Sequence, residues 1–350
     1  NRNLGRATMN LTWKNRFLES RAAVMTQFEE LAGILEEFSG QMEQALDVTM
    51  TWEGELKTAL RKRRIDVEGL LVLQYGQGRR EVFMTARMTN GRCMTARDAS
   101  EAIAKVMKGS FSAARDGKAI ITRNPASFRF IEDGRYRILF GSSRVPRDGE
   151  EVSGDSYTFK SGLPGQAILS LSDGMGSGQA ASEDSEKVME LTEQLLGTGF
   201  SARSALKLVN TVLLLTGQND RPATLDLCLV DLYSGVAEAM KLGAVASFIM
   251  GRDGVEVLES EHVPAGVMNP VEPVMISKKL WDGDRIVMVS DGILDAMPGA
   301  EKEAAFTDFL AGLPAAGPQE TAEMIMAFAL SFDGEPRDDM TVLVGGIYGR

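Results

Sequence analysis

The stretch from residue 167 to residue 178 reads Ala-Ile-Leu-Ser-Leu-Ser-Asp-Gly-Met-Gly-Ser-Gly. Its first half is a largely apolar run typical of a buried strand, which we expect to span residues 166–172. Asp173 follows directly, and the glycines after it favour a tight loop because glycine adopts backbone conformations that other residues avoid. A helical pattern of apolar residues then covers 179–196. The stretch therefore predicts a carboxylate fixed at the end of a core strand, in front of a loop and a helix.

Three more aspartates occupy similar positions next to predicted strands. Asp155 lies just before one strand, Asp291 directly follows another, and Asp338 lies shortly before the last one. Strand ends aim a side chain in a fixed direction, so these carboxylates can gather at one edge of a core. Such crowding is costly unless divalent cations lie among the charges, and oxygen ligands favour Mg2+ or Mn2+ over zinc or copper. The alternative is four separate turn aspartates, since Asp-Gly is a common turn pair.

The order of the predicted elements after Asp133-Gly134 favours an α+β fold. Short strands follow one another and helices are inserted in blocks, which is typical of antiparallel sheets covered by helices and not of a β-α-β alternation. The predicted strands are 136–141, 157–160, 166–172, 224–232, 236–242, 246–250, 285–290 and 341–347, and the predicted helices are 179–196, 202–215 and 319–332.

A long helix with one narrow apolar seam is predicted for residues 12–46. Apolar side chains recur there at steps of three and four, which is coiled-coil spacing. The helix either packs on its own domain or pairs with a partner or a second copy, and Gly33 and Gly40 weaken a free-standing coiled coil. The seam consists of Phe17, Val24, Phe28, Leu31, Leu35, Phe38, Met42 and Ala45.

Residues 64–134 are expected to form a small α/β segment, in which we identify no catalytic motif. Asn-Gly and Asp-Gly turns separate its elements. The predicted strands are 69–74, 81–88 and 119–123, and the predicted helix is 99–114. We therefore expect a regulatory segment at residues 1–133, which includes the seam helix, and a catalytic domain at residues 134–350.

Composition narrows the classes of function. The chain of 350 residues has a net charge of −11, which argues against nucleic acid as the main partner. Its single histidine, His262, excludes zinc sites built on histidine pairs, so any chemistry is expected to rely on carboxylates. Cys93 and Cys228 are expected to be buried thiols and not a disulfide.

No apolar run approaches the roughly 18 residues of a membrane span. The first residues carry neither a signal peptide nor a start signature, which indicates a piece of a longer protein.

Four short motifs follow one another in the carboxyl-terminal part. They are Ser-Gly-Asp-Ser at 153–156, Asp-Gly-Met-Gly-Ser-Gly at 173–178, Ser-Asp-Gly at 290–292 and Asp-Asp-Met-Thr at 338–341. Together and in this order they resemble the signature of the metal-dependent protein phosphatases, the type 2C family. The Asp-Gly-Met-Gly form, with Ala-Thr-Leu-Asp-Leu at 223–227, is most similar to the sporulation serine phosphatases of that family. The resemblance covers about residues 134–350, and the seam helix agrees with it less specifically.

This resemblance implies an αββα sandwich of two antiparallel sheets flanked by helices, preceded by a long regulatory helix and the small α/β segment. It also implies two divalent cations, Mn2+ or Mg2+, at one end of the sandwich. By matching motifs, Asp173 would bridge both ions, and the Gly174 carbonyl would complete the coordination of one. Asp155 would serve the first ion, while Asp291 and Asp338 would hold the second.

The same resemblance implies a reaction. A water bridging both cations would lose its proton near neutral pH and attack phosphoserine in line, with Asp155 and Asp173 at the catalytic centre. The implied substrate is a phosphorylated anti-anti-sigma factor, whose dephosphorylation activates a sporulation sigma factor. Asp339 stands where many family members carry asparagine, and its role is open. The arginine that clamps phosphate in eukaryotic members has no counterpart here. His262 is either a structural loop residue or a general acid.

Control and location are implied by the resemblance as well. The amino-terminal helix would act on a switch formed by the helices 179–196 and 202–215, since the first of these follows the loop after Asp173. Implied partners are a second copy of the chain, joined through the amino-terminal helix, and a cell-division protein reached through a missing amino-terminal region. The full-length protein would lie at the cytoplasmic face of the cell membrane, and this part of it would be soluble.

Other classes of function compete with this interpretation. Residues 176–181 fit the G-x-G-x-x-A fingerprint of dinucleotide-binding domains, but the next strand starts only near Thr224, after two helices. A non-catalytic scaffold would keep the fold and lose the metals, yet all four candidate aspartates are present. The G-x-x-x-x-G-K-[ST] loop of NTPases does not occur in the sequence.

Overall fold

The structure is a computed structural model that describes residues 32–33, 45–75, 79–114, 117–162, 164–216, 222–259, 264–267 and 273–350. The predicted helix 12–46 lies almost wholly outside these ranges; residues 32 and 33 are helical, and Leu46 already belongs to a strand. His262 lies outside them too. Among the residues described, no helix is both long enough and apolar enough to cross a membrane.

The amino-terminal unit, residues 46–132, is an antiparallel sheet with two helices on one face. Its elements are β1 (Leu46–Asp47), α1 (Thr49–Lys62), β2 (Ile65–Gln74), β3 (Arg80–Met88), β4 (Met94–Thr95), α2 (Ala96–Met107), β5 (Phe111–Ala113), β6 (Ile120–Ile121) and β7 (Ala126–Glu132). The strand order is β1-β2-β3-β7-β5, and β4 pairs separately with β6. Leu56 and Leu60 of α1 and Ile103 of α2 pack against Val82 and Phe130 of the sheet, so this unit has a core of its own.

Helix α2 ends earlier than the predicted 99–114. It begins at a capping box in which Thr95 and Asp98 each accept a hydrogen bond from the other's backbone N–H. It ends at Lys108, whose left-handed conformation (φ 52°) stops the helix, and Phe111 then begins strand β5. Both cysteines are free thiols as predicted, and Cys228 is buried, but the predicted burial was wrong for Cys93, which lies in the exposed loop before β4.

The carboxyl-terminal unit, residues 136–349, contains two five-stranded antiparallel sheets. Its elements are β8 (Tyr136–Val145), β9 (Asp155–Ser161), β10 (Gln166–Asp173), α3 (Gly178–Gly197), α4 (Ala202–Thr216), β11 (Leu225–Asp231), β12 (Val236–Leu242), β13 (Ser247–Gly251), β14 (Gly254–Leu258), β15 (Ile276–Lys279), β16 (Arg285–Val289), α5 (Asp291–Asp295), α6 (Lys302–Ala311), α7 (Pro318–Asp333) and β17 (Met340–Gly349). Sheet I has the order β15-β12-β11-β10-β9, and sheet II has the order β14-β13-β16-β17-β8.

The central strands of both sheets are buried on both faces. In β10, Ile168 packs toward α3 and α4, while Leu169 belongs to the core between the sheets. In β16, Val287 packs toward α5, α6 and α7, while Met288 belongs to the same inter-sheet core. This explains why these strands read as nearly continuous apolar runs, and it confirms the predicted αββα sandwich.

Helix α7 begins in direct contact with strand β8. The side-chain amide of Gln319 accepts a hydrogen bond from the backbone N–H of Ser142 and donates one to its carbonyl, both at 3.1 Å. A Cβ on Gly141 would lie 2.2 Å from the Gln319 backbone nitrogen and 2.3 Å from the Pro318 carbonyl carbon. The close approach of this helix to the sheet therefore requires glycine at position 141.

We predict that Gly141→Ala lowers the free energy of unfolding by about 3 kcal/mol, because the new methyl group overlaps backbone atoms that cannot move independently. Gly197→Ala is the matched control, since residue 197 is helical and a Cβ there meets nothing within 4 Å. This variant should be neutral or slightly stabilising. Urea denaturation followed by circular dichroism measures both, and equal stabilities of the two variants would contradict the close packing of α7 on β8.

Candidate active site

Two of the candidate aspartates are paired with each other on neighbouring strands of sheet I. Strands β9 and β10 run antiparallel, and the last pair of their register is Asp155 with Asp173. Directly paired residues in such a ladder have Cα atoms about 4.5–5.5 Å apart. The Asp173 backbone N–H donates to Thr224 Oγ1 at 2.9 Å, which fixes the strand end against the residue that precedes β11. The pairing brings together two carboxylates that lie on opposite sides of a turn in the sequence.

The other two candidates lie at the corresponding end of sheet II. Asp291 begins α5 directly after β16, and Asp338 lies two residues before β17, which pairs with β16. Ser290 joins the two segments, because its backbone N–H donates to the Thr341 carbonyl at 3.0 Å and its Oγ accepts from the Thr341 N–H at 2.8 Å. The ends of both sheets therefore present aspartates to the same region.

Asp155 is fully buried, and among the described residues neither of its carboxylate oxygens has a hydrogen-bond partner. Burial raises its pKa to about 7, and the charges of Asp339 and Asp291 add to the increase. The hydroxyls of Thr341 and Ser290 are near enough to oppose this pKa increase in part, although not in hydrogen-bonding geometry. A buried carboxylate without partners is costly, and its negative form requires a nearby positive charge.

Asp173 and Asp291 are perturbed in the same direction. Burial, followed by the charges of Asp155, Asp291 and Asp338, raises the pKa of Asp173 to about 9. The pKa of Asp291 is also raised, by burial first and then by the charges of Asp338 and Asp295. The interaction between the carboxyl groups of Asp173 and Asp291 also raises the pKa of Asp173. Asp173 therefore lies within electrostatic reach of the other three candidates, which is not expected for four separate turn aspartates.

The donor set fits hard divalent cations in charge and in chemistry. The candidate side chains offer only oxygen atoms as ligands, and the carboxylate oxygens of Asp155 have no other partner among the described residues. Repulsion among the carboxylates favours their protonation, and bound cations would replace these protons. In the part of the chain that is described, no three acidic, histidine or cysteine side chains are already arranged around one metal position. The fit therefore lies in the charge and the donor type, and the side chains would complete the coordination geometry on binding.

Gly174 follows Asp173 at a point where helix α3 comes very close. Its N–H approaches the Gly154 carbonyl at 3.4 Å, and a Cβ on it would lie 2.1 Å from the Ala181 carbonyl oxygen. Gly176 and Gly178 have positive φ angles of 111° and 72°, so the chain turns sharply into the helix. The glycines of this loop thus allow α3 to pack against the strand ends that carry Asp155 and Asp173.

The dinucleotide-binding interpretation of this loop is wrong. Strand β10, which precedes the loop, pairs in antiparallel orientation with β11, the next strand in the sequence. A dinucleotide fold requires a parallel β-α-β unit at this position.

Two polar side chains that hold these loops cannot be identified from the pattern of aspartates at strand ends. Asp339 is 2% exposed, and its oxygens accept hydrogen bonds from the backbone N–H groups of Arg147 and Gly154. Ser185 of α3 donates to the Gly154 carbonyl at 2.7 Å. The Asp-Asp dipeptide gave a signal for Asp339, whereas nothing in the helical pattern distinguishes Ser185.

A buried ion pair lies at the same end of sheet I. Lys241 of β12 is 1% exposed and donates to Asp226 Oδ2 at 2.5 Å, to Ser247 Oγ at 2.6 Å and to the Val245 carbonyl at 2.8 Å. With its three donors used, this lysine neutralises Asp226 internally. The Thr-Leu-Asp sequence at 224–226 therefore contributes a structural charge pair and the hydroxyl that fixes Asp173.

An acidic cavity of about 710 Å³ opens beside Asp291. Glu303 has a raised pKa, caused by burial and by the neighbouring carboxylate of Glu259. Lys302 forms an ion pair with Asp295 at 2.5 Å across the same region. The acidic residues that line the cavity are Glu259, Asp291, Asp295, Glu301, Glu303 and Asp308. Asp291 therefore borders a strongly acidic cavity.

Comparison with known proteins agrees with the resemblance found in the motifs. Stage II sporulation protein E of Bacillus subtilis (strain 168) is 26% identical over 337 residues, which are 96% of this chain and 41% of that protein. Stage II sporulation protein E of Priestia megaterium is 26% identical over 342 residues, which are 95% of this chain and 57% of that protein. The chain thus spans about half the length of these relatives.

Solved structures show the same fold. A structure of the PP2C phosphatase domain and a fragment of the regulatory domain of SpoIIE from B. subtilis superposes with a TM-score of 0.70 at 24% identity, covering 96% of this chain and 98% of that one. The phosphatase domain of B. subtilis SpoIIE, in a crystal form without domain swapping, matches with a TM-score of 0.52 at 30% identity over 62% of this chain and 95% of that one. The carboxyl-terminal unit thus has the architecture of a PP2C phosphatase domain. The family model "Stage II sporulation protein E (SpoIIE)" matches residues 164–347, more than half of the chain, and the chain therefore belongs to the SpoIIE family.

Proposed function

We propose that the chain is a metal-dependent protein serine phosphatase, that its substrate is a phosphorylated anti-anti-sigma factor, and that its activity activates a sporulation sigma factor. The observation that carries the catalytic part is the group of buried aspartates at the joined ends of the two sheets. Asp155 has no partner for its carboxylate, and the pKa values of Asp155 and Asp173 are raised to about 7 and about 9. Family membership supports the sporulation substrate.

Two divalent cations, Mn2+ or Mg2+, are the proposed cofactors. Asp155, Asp173 and the Gly174 carbonyl would hold one, and Asp173, Asp291 and Asp338 would hold the other. When bound, the cations supply an activated water for attack on phosphoserine and positive charge for the phosphoryl oxygens.

The chain's own residues supply orientation. The β9–β10 ladder keeps Asp155 and Asp173 opposite each other, and the hydrogen bond from the Asp173 N–H to Thr224 fixes the strand end. Burial around Asp155 excludes water from that side of the site. The negative cavity beside Asp291 discourages anions other than those drawn in by bound cations.

Asp173→Ala and Asp338→Ala should each abolish Mn2+-dependent phosphate release from a phosphoserine protein, because each removes a proposed cation ligand. Phosphate release from a phosphorylated anti-anti-sigma factor measures the effect, and circular dichroism checks that the fold survives. Asp253→Ala is the control, since this exposed aspartate lies in the β13–β14 turn at the opposite end of sheet II. Retained activity in both site variants would defeat the assignment.

The aspartates also predict how stability depends on pH in the metal-free protein. The pKa values of Asp155 and Asp173 are raised from 3.8 to about 7 and about 9, so the folded state binds more protons than the unfolded state. Stability is therefore highest below about pH 4 as far as these groups are concerned, and it is lost progressively as the pH rises toward 7 and then 9.

Metal-free Asp173→Asn should consequently melt at a higher temperature than the wild type at pH 8 and at nearly the same temperature at pH 4. A gain of 1 kcal/mol corresponds to about 2–4 °C in a unit of this size. Mn2+ should raise the melting temperature of the wild type at pH 8 and leave the variant almost unchanged. Scanning calorimetry with and without Mn2+ measures both effects, and a variant that is less stable than the wild type at pH 8 would contradict them.

We further propose that residues 1–133 are a regulatory segment and residues 134–350 the phosphatase domain. The two units touch at the end of sheet I away from the aspartates: Tyr233 donates to the Glu132 carbonyl at 2.5 Å, and Arg79 donates to the Pro164 carbonyl at 3.3 Å. Control would come from the seam helix, which would also join two copies of the chain. In the longer protein, a cell-division protein and the cytoplasmic face of the membrane are the proposed further contacts.

Removing residues 1–44, which leaves β1 intact, should change the rate of phosphate release or the Mn2+ concentration required by about fivefold or more, in the range of ordinary couplings between sites. Leu35→Glu in the whole chain should have a similar effect because it places a charge in the seam. Ser39→Glu, which adds the same charge outside the seam, is the matched control. Unchanged kinetics in the truncated chain and in Leu35→Glu would argue against control by this helix.

A further inference from the structure

Asp339 uses both oxygens of its carboxylate to bind backbone N–H groups. Oδ1 accepts from the Arg147 N–H at 2.9 Å and Oδ2 accepts from the Gly154 N–H at 2.8 Å. Both donors belong to the segment between β8 and β9 that leads into Asp155. Asp339 itself lies next to the start of β17, so it connects the beginning of that strand in sheet II to the loop in front of sheet I.

The Gly154 backbone is also held from the opposite side. Its carbonyl accepts a hydrogen bond from Ser185 Oγ of α3 at 2.7 Å, and Ser185 has no exposed surface. A Cβ on Gly154 would lie 2.8 Å from the Ala181 Cβ and 3.1 Å from Asp339 Oδ2. The residue before Asp155 is therefore fixed between α3 and the Asp339 carboxylate, with no space to shift.

We propose that Asp339 is a positioning residue for the cation site, and that it fixes Asp155 through the Gly154 backbone with both of its carboxylate oxygens. This inference rests on the proposed function, because it concerns the same site. Asp339 differs from the four proposed ligands in that its two oxygens are already used by backbone donors. Removing it would leave the candidate ligands chemically intact while loosening the backbone in front of Asp155, whose carboxylate oxygens have no partner among the described residues.

The same contacts show why asparagine could not replace aspartate at position 339 without loss. An asparagine side chain has one acceptor oxygen, and its other terminal group donates. In either orientation, one of the two backbone N–H groups would face the NH2 group, and a buried donor would lose its partner.

Asp339→Asn in the whole chain tests the proposal, with Asp148→Asn as the matched control. Asp148 is exposed, lies in the same loop, and loses the same charge on substitution. In the metal-free protein, hydrogen–deuterium exchange of the Arg147 and Gly154 amides should become faster in Asp339→Asn only. Titration calorimetry with Mn2+ should show about 10–100-fold weaker binding for Asp339→Asn, the usual range for groups that orient metal ligands, and unchanged binding for Asp148→Asn.

Mn2+ affinity of Asp339→Asn within twofold of the wild type would overturn the proposal even if its melting temperature falls, because a purely structural role lowers stability without changing affinity. An equal loss in Asp148→Asn would overturn it too, since the effect would then belong to the loop's charge. If Asp339→Asn does not fold, Ser185→Ala removes the opposite contact and should weaken Mn2+ binding, and unchanged affinity there would contradict the proposal.

Mn2+ binding and phosphate release by the wild-type chain distinguish a failure of this inference from a failure of the proposed function. Wild-type chain that binds Mn2+ and releases phosphate, with an Asp339→Asn variant that matches it, would refute only the role of Asp339. Wild-type chain that neither binds Mn2+ nor releases phosphate would refute the proposed function, and the positioning role would fall with it.

Discussion

Repulsion among buried carboxylates is the constraint on which the candidate site depends. Asp155 and Asp173 come from sheet I, Asp291 and Asp338 come from sheet II, and the sandwich places them at one end. Without compensation, burial and mutual repulsion push the pKa values of Asp155 and Asp173 upward. The fold therefore holds a charge arrangement that favours either bound protons or bound cations, and the packed core between the sheets offsets the cost.

Most polar contacts around the site are hydrogen bonds that hold the backbone in place, and few of them involve the carboxylate oxygens of the candidate aspartates. Thr224 accepts from the Asp173 N–H, and Asp339 accepts from the Gly154 N–H directly before Asp155. The carboxylate oxygens of Asp155, in contrast, have no partners among the described residues. Strand ends are thus held in place while acceptor oxygens stay available for ligands. Asp226 differs, because its Oδ2 accepts hydrogen bonds from Lys241 and Ser247, although its Oδ1 also has no partner among the described residues.

Local patterns in the sequence predicted the elements of the sandwich well. The strand predicted at 236–242 matches β12 at both ends, and the helix 202–215 matches α4 to within one residue, because both have continuous apolar patterning. Strands β14 and β15 and helices α5 and α6 of the sandwich were not predicted. Their short, mixed patterns depend on neighbours that are distant in the sequence.

The positions of the four aspartates at strand ends could be predicted, but their meeting could not. Pairing of Asp155 with Asp173 depends on the register of the β9–β10 hairpin, and the contact between the two sheets depends on the inter-sheet core. The role of Asp339 was open for the same reason, since its partners Arg147 and Gly154 lie far away in the sequence. The resemblance of the four motifs to a known family indicated that these aspartates form one site, which local patterns in the sequence do not show.

Helix α3 touches the loops of both sheet I aspartates. Ser185 holds the Gly154 carbonyl next to Asp155, and Ala181 packs against Gly174 next to Asp173. A displacement of this helix would disturb the loops of both aspartates together, whereas the hydrogen bonds at Tyr233 and Pro164 join the amino-terminal unit to the opposite strand ends of sheet I. Strands of seven or eight residues span about 25 Å, so influence from those contacts would have to pass along β9 and β10 or through α3. Interfaces as tightly packed as that of α3 shift between discrete arrangements and do not deform gradually.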